Sequence, residues 1–196
     1  VDDMKMLRRL VCYLRHTKEL CLTLEADNLQ IMKWWVNASF AVHQDMRSHT
    51  GGVLSLGKGA IYSTSTRQKL NTKSSTEAEL VGVDDVMPMI LWTRQFMEGQ
   101  GYVLKDNVLY QDNQSSILLE NNGQQSSMKR TRHLAIRYFF VTDRVRAGQL
   151  RIEYCPTGDM LAPSVERLAP TGERLVPPVE RLAPTGEMMA PTGEVL

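Results

Sequence analysis

Between residues 29 and 69 apolar runs alternate with paired or closely spaced glycines, and this pattern confines the segment to a hairpin-linked sheet. LQIMKWWVNASFAV, residues 29–42, carries the apolar and aromatic side chains of a strand. Trp34 and Trp35 fall on opposite faces of it, so one of them belongs to a core. HTGGVLSLGKGAIYSTSTRQK follows. There Gly51–Gly52 and Gly57–Lys58–Gly59 punctuate two further strands. The expectation is an antiparallel meander of three.

Longer periods then take over. In NTKSSTEAELVGVDDVMPMILWTRQFMEGQG, Ser74, Ser75 and Thr76 are all able to cap a helix, and Thr76 with Glu79 has the T-x-x-E spacing of a capping box. The helix is predicted to run to about Gly99, with Pro88 as a point of bending. VLKDNVLYQD reads as a buried strand, NQSSILLENN as a short helix, KRTRHLAIRYFFVTDRVRAG as a basic amphipathic helix ending at Gly148, and LRIEYC as a fifth strand. Before all of these, Met6, Leu10, Val11 and Leu14 recur at helical spacing over residues 3–17, the pattern of a helix packing on a neighbour. The order predicts an α/β fold, a mixed five-stranded sheet flanked by helices, with three antiparallel strands followed by two parallel ones.

The C-terminal end behaves differently. From residue 155 the chain reads CPTGDML, APSVERL, APTGERL, VPPVERL, APTGEMM and APTGEVL, a period of seven with a proline in every unit. Proline removes a helical hydrogen bond and clashes with the preceding turn, which excludes a coiled coil. The expected organisation is a segment at 1–28 with an amphipathic helix, a domain at 29–161, and an extended, disordered Pro-rich repeat tail at 162–196. Tandem duplication of the unit that grows out of the last strand accounts for the repeats.

Of the 196 residues, 42% are apolar and 23% charged, which suits a soluble domain with an appendage. The net charge is +1, but residues 155–196 hold three arginines and six acids, so residues 1–154 carry about +4. That is a weak lean toward an anionic partner. Cys12, Cys21 and Cys155 form no CxxC pair and read as reduced thiols in a cytosolic or nuclear setting. No apolar run approaches the roughly 20 residues that span a bilayer. The N-terminus lacks both the apolar centre of a signal peptide and an initiator Met, as expected for a piece of something longer.

If the five-strand order holds, Asn37 in the first strand, Glu77 and Glu79 in the first turn of the long helix, and Asp112 at the end of the fourth strand lie near one another. Oxygen ligands converging this way suit Mg²⁺. A pair of such ions can activate water in phosphodiester cleavage. The same residues also admit a structural reading. Asp112–Asn113 can cap the next helix, and Glu77 and Glu79 can serve the capping box and the helix dipole.

The motifs KSSTEAEL, YQDNQSSI, KRTRHLAIRYFFVTDRV and LRIEYCPTGDML, in this order over about residues 3–161, resemble the ribonuclease H domain of copia-type LTR retrotransposon Pol polyproteins. YLRHTKELCLTL resembles the connection between reverse transcriptase and ribonuclease H. The resemblance implies a ribonuclease H-like fold. It also implies an endonuclease for RNA–DNA hybrids, with four carboxylates and two Mg²⁺ or Mn²⁺ ions. Glu79 matches the acid on the first helix and Asp112 the acid ending the fourth strand, which makes these two the metal ligands. Glu77 falls to a capping or outer role.

Two positions depart from that pattern. Asn37 stands where the family usually has Asp, and Pro163 follows Leu161–Ala162 where a fourth acid opens a final helix. Two formal charges remain of four, so impaired cleavage is expected. The alternative is an inactive domain that binds nucleic acid or acts as a scaffold in a degenerate polyprotein. Lys129, Arg130, Arg132, His133, Arg137, Arg144 and Arg146 lie on or beside one helix and suit a phosphate backbone. Asn113, Gln114 and Ser115 can reach 2′-hydroxyls. The implied partners are a hybrid or duplex and the reverse transcriptase of the same polyprotein, with no membrane. The implied location is a cytoplasmic particle or the nucleus, and the chain is not expected to be secreted.

Overall fold

The computed structural model describes residues 2–122 and 135–162. The meander forms as its glycines require. Strand β2 (Ile31–Ser39) pairs antiparallel with β3 (His49–Ser55), which pairs antiparallel with β5 (Tyr62–Arg67). A small ribbon of β1 (Glu25–Ala26) and β4 (Gly57–Lys58) closes the β3–β5 connection from outside. Gly59 there has φ +74 and its Cα faces the Thr23 carbonyl, so a side chain has no room. The other side of β2 takes β6 (Asp106–Gln111) in parallel, and β7 (Arg151–Tyr154) adds parallel to β6. The sheet order is therefore β5-β3-β2-β6-β7, the mixed five-stranded sheet expected.

Both faces of the sheet are covered. Helix α2 (Ser75–Gly99) packs Val83, Val86, Met87 and Ile90 on Met32, Trp34, Val36, Leu54 and Leu109. Gly52 lets it sit close, because a Cβ at that position would lie 2.9 Å from Thr64 and 3.2 Å from Val86. Helices α3 (Gln114–Asn122) and α4 (Ala135–Arg146) lie on the same side, where Leu80 meets Leu119 and Phe139. On the opposite face Trp35 stacks on Tyr110 at 5.2 Å, and the segment after β7 folds back to bury Met160, Leu161 and Ala162 against Trp35 and Val53. Both tryptophans are thus core, one per face.

Helix α2 runs to Gly99 as expected, with Pro88 inside it. Two expectations change. The apolar residues Met6, Leu10, Val11 and Leu14 of α1 (Asp2–His16) are exposed rather than packed. The α2 cap lies two residues earlier than the Thr76–Glu79 box. Ser74 is the N-cap and accepts from the Glu77 N–H at 3.2 Å, while Glu77 Oε2 accepts from the Lys73 N–H at 2.8 Å. The sequence offers two overlapping S/T-x-x-E frames, and the buried approach to the helix selects the first. In that approach Gln68 Nε2 donates to the Ala78 carbonyl and to Thr50, and Ser48 bonds Thr72 at 2.7 Å.

The heptapeptide repeats beyond Ala162 lie outside the described residues. Among the described residues no helix is long and apolar enough to cross a membrane.

The cap makes a clear prediction. Ser74→Ala should cost about 1 kcal/mol of stability, and Thr76→Ala a few tenths at most, in urea unfolding of the two variants. Equal losses would return the cap to the Thr76 frame.

Candidate functional site

Strand β2 is longer than its parallel neighbour. Their ladder ends at Trp35 opposite Tyr110, while β2 continues to Ser39 beside β3. The carboxyl ends of β2 and β6 lie beside the change from antiparallel to parallel pairing. Such places are the usual ligand sites of open sheets. Extending the register by two residues sets Asn37 beside Asp112. Asn37, two residues on from Trp35 in β2, lies on the Trp35 face of the sheet, and Asp112 follows the end of β6.

Glu79 enters from α2. Its Oε1 accepts the Ala38 N–H at 2.9 Å, a donor that β6 ends too early to use. Shifting the cap to Ser74 and Glu77 is what leaves Glu79 available for this contact. Glu79 is 4% exposed, and its Oε2 has no hydrogen-bond partner among the described residues. Burial pushes its carboxyl up to about 8. The Ala38 hydrogen bond works against that rise, and the charge of Asp112 adds to it. Glu79 and Asp112 therefore feel each other.

Asp112 is half-buried, and Thr157 Oγ1 donates to its Oδ2 at 2.8 Å. Thr157 belongs to the short turn Thr157–Asp159 after β7. It orients Asp112 from a stretch that sequence reading treated only as part of a motif. Asn113 is the cap of α3, its Oδ1 accepting from the Ser116 N–H at 3.1 Å. The capping reading thus holds for Asn113 and not for Asp112. Gln114 and Ser115 are exposed on the first turn of α3, beside Asp112.

Other candidates separate from this group. Glu77 is engaged in the cap. Asp45 pairs with Arg47 and Arg67 and cannot replace a missing acid. On α4, Arg144 lies over the Phe140 ring and donates to Gln149, so it serves packing. Lys129, Arg130, Arg132, His133 and Pro163 lie outside the described residues, as does the side chain of Arg137. Sequence reading missed two further contributors, the Ala38 amide and Thr157. Only the P-T dipeptide after the last strand carried a signal for either.

The donor set fits a hard divalent cation in part. Glu79 and Asp112 supply carboxylates and Asn37 a neutral carbonyl. Among the described residues no three His, Cys, Asp or Glu side chains gather closely enough to hold a metal ion.

Comparison with known proteins places the chain. The retrovirus-related Pol polyprotein from transposon TNT 1-94 of Nicotiana tabacum is 32% identical over 160 residues, which is 79% of this chain. The Pol polyprotein from transposon RE1 of Arabidopsis thaliana is 29% identical over 168 residues, 85% of the chain. This chain belongs with the retrovirus-related Pol polyproteins of transposons. It spans only 12% and 11% of the length of these two relatives. The matched segment carries SSTEAE at the start of α2 and DNQS at the β6–α3 junction. No family model matches the chain. Among solved structures, LC11-RNase H1 from compost covers 66% of the chain and 86% of its own at 14% identity, with a TM-score of 0.47. The PFV RNase H domain covers 78% and 88% at 13% identity, with a TM-score of 0.46.

The raised Glu79 value has a consequence for the stability of this domain. The folded state holds this proton where the unfolded chain has lost it, so stability falls as pH climbs from near 4.5 toward 8. Glu79→Gln keeps an oxygen for Ala38 and removes the charge. In metal-free buffer it should melt higher than wild type at about pH 9 and near the wild-type temperature at about pH 5. Calorimetry at both values checks this, and a pH-independent difference would contradict it.

Proposed function

We infer that this chain is the hybrid-directed ribonuclease H of a transposon Pol polyprotein, with cleavage impaired in this copy. The observation that carries the reading is Glu79, bonded to the Ala38 amide next to Asn37, within electrostatic reach of Asp112 at the carboxyl ends of parallel strands. A bound Mg²⁺ or Mn²⁺ at this place would activate water and stabilise the leaving oxygen of a phosphodiester. Glu79 is held by Ala38 and Asp112 by Thr157, so both carboxylates are oriented in advance. Asn37 fills the volume of an aspartate and offers a carbonyl, but no charge.

Charge decides how far this goes. Two divalent ions about 4 Å apart repel by roughly 15 kcal/mol at an effective dielectric near 20. Two carboxylates balance one such ion and not a pair. The position after Ala162 follows a residue buried on the same sheet face as Asn37, and it holds proline rather than an acid. A single weak metal site is the consequence for this copy.

The substrate follows from the surroundings of Asp112. Gln114 and Ser115 stand exposed beside Asp112, suited to the 2′-hydroxyls of an RNA strand. The basic run at 129–137 supplies charge for a phosphate backbone. The reverse transcriptase of the same polyprotein is the expected neighbour, in a cytoplasmic particle or the nucleus.

The test is cleavage of a labelled RNA–DNA hybrid in Mg²⁺ and in Mn²⁺. Wild type should cut slowly. Asn37→Asp combined with Pro163→Asp should accelerate cutting at least about tenfold, equivalent to about 1.4 kcal/mol of the barrier. Adding Asp112→Asn to that pair should abolish it. A folded double variant that binds hybrid with a steep salt dependence yet never cuts would leave the binding-domain alternative.

A further inference from the structure

Two histidines that the nuclease reading does not use face each other at the turn end of the β2–β3 hairpin. His43 Nε2 and His49 Nδ1 are 3.0 Å apart, and the other ring nitrogen of His49, Nε2, lies 2.7 Å from Ser65 Oγ. Both histidines are half-buried. His49 opens β3 opposite Ser39, on the sheet face of Trp35 and Asn37. His43 reaches it from the connection between the strands, and that connection has an unusual shape. Ala41 and Met46, on either side of His43, have φ 52° and 59°. They are the two non-glycine residues in the left-handed region among the described ones. The Ala41 N–H donates to Ser48 Oγ at 3.1 Å and the Met46 N–H to the His43 carbonyl at 2.8 Å, so the turn delivers the His43 ring to β3. Backbone strain of this kind persists only where the surroundings over-determine it, and it gathers at ligand clamps.

We propose that His43 and His49 form a binding site for a borderline transition-metal ion such as Zn²⁺, with Ser65 as the partner that orients His49. One proton lies between the facing nitrogens whichever ring carries it, and an ion can take its place. Nitrogens about 2.0 Å from one tetrahedral Zn²⁺ stand about 3.3 Å apart, so a shift of a few tenths of an ångström admits the ion. A ligating histidine gives its other N–H to an oxygen, and Ser65 supplies that oxygen. Burial, reinforced by His43, lowers the proton affinity of His49 and keeps its ring neutral at neutral pH. Imidazole donors favour Zn²⁺, Ni²⁺ and Cu²⁺ over Mg²⁺. Among the described residues no third His, Cys, Asp or Glu joins the pair, so water completes the coordination. Arg67 stands opposite His49 on β5, and Asp45 engages both Arg67 and Arg47, which tempers the positive charge beside the ion.

This site shares no residue with the Glu79–Asp112 pair and does not depend on hybrid cleavage. Its ion would clip the strained turn onto β3.

The test titrates the full chain with Zn²⁺ at neutral pH, following the histidine ring C–H signals by nuclear magnetic resonance and the affinity by calorimetry. The His43 and His49 signals should move together, and Mg²⁺ should move neither. His43→Gln keeps a hydrogen-bonding group for His49 but offers no imidazole. It should bind Zn²⁺ at least about tenfold more weakly while melting near the wild-type temperature in chelator. Ser65→Ala should weaken binding several-fold, and His16→Gln should leave the pair's response unchanged. A wild type whose His43 and His49 signals ignore Zn²⁺ would overturn the proposal, whatever the variants do. So would a response confined to His16 or His133, or wild-type affinity in His43→Gln.

Discussion

One hydrogen bond joins sheet to helix at the place everything else surrounds, from the Ala38 amide to Glu79 Oε1. It exists because β2 outruns β6 and leaves an amide that no strand can take. An unpaired buried amide costs on the order of 1 to 3 kcal/mol, so the fold gains from supplying an acceptor there. Supplying it with a carboxylate carries its own penalty. The same burial that makes the bond effective raises the proton affinity of Glu79, and the hydrogen bond only partly offsets this. The first turn of α2 therefore holds a group that is structurally satisfied on one oxygen and electrostatically unsatisfied on the other.

The environment amplifies that conflict. Asp112 lies within electrostatic reach on one side and Glu120 on another. A globular domain selected only for stability would place apolar groups around such an amide-bound acid. At neutral pH the raised proton affinity relieves this conflict, because Glu79 keeps its proton. The support beneath the site is ordinary by contrast. Gln68, Ser48 and Thr72 fix the approach to α2, and Gly52 lets the helix sit close enough for a glutamate to reach the strand.

Much of the fold was legible from local pattern. The glycines at 51, 52, 57 and 59 with their flanking alternation specify the meander, and the long helix is visible from its cap to Gly99. The cap frame was not, because Thr76–Glu79 and Ser74–Glu77 satisfy the same spacing and only the tertiary anchoring of Gln68 and Thr72 separates them. Glu79 and Asp112 were legible as a pair through their motifs, and Thr157 was not, since a threonine in a turn after an edge strand has many ordinary uses. Glu120 was invisible. At the end of ILLENN it reads as a solvated helix terminus, and its burial comes from α2 and α4 closing over α3.

The sequence by itself determined the element order and where Asn37, Glu79 and Asp112 fall along it. These are properties of single residues and short spacings, and they survive in any packing. Only the tertiary structure decided which of two glutamates caps α2 and which reaches the sheet. It also decided that Asp112 leans on Thr157, and that Glu120 is buried rather than solvated. Those choices depend on desolvation and on contacts between segments some 40 residues apart, and no local periodicity encodes them.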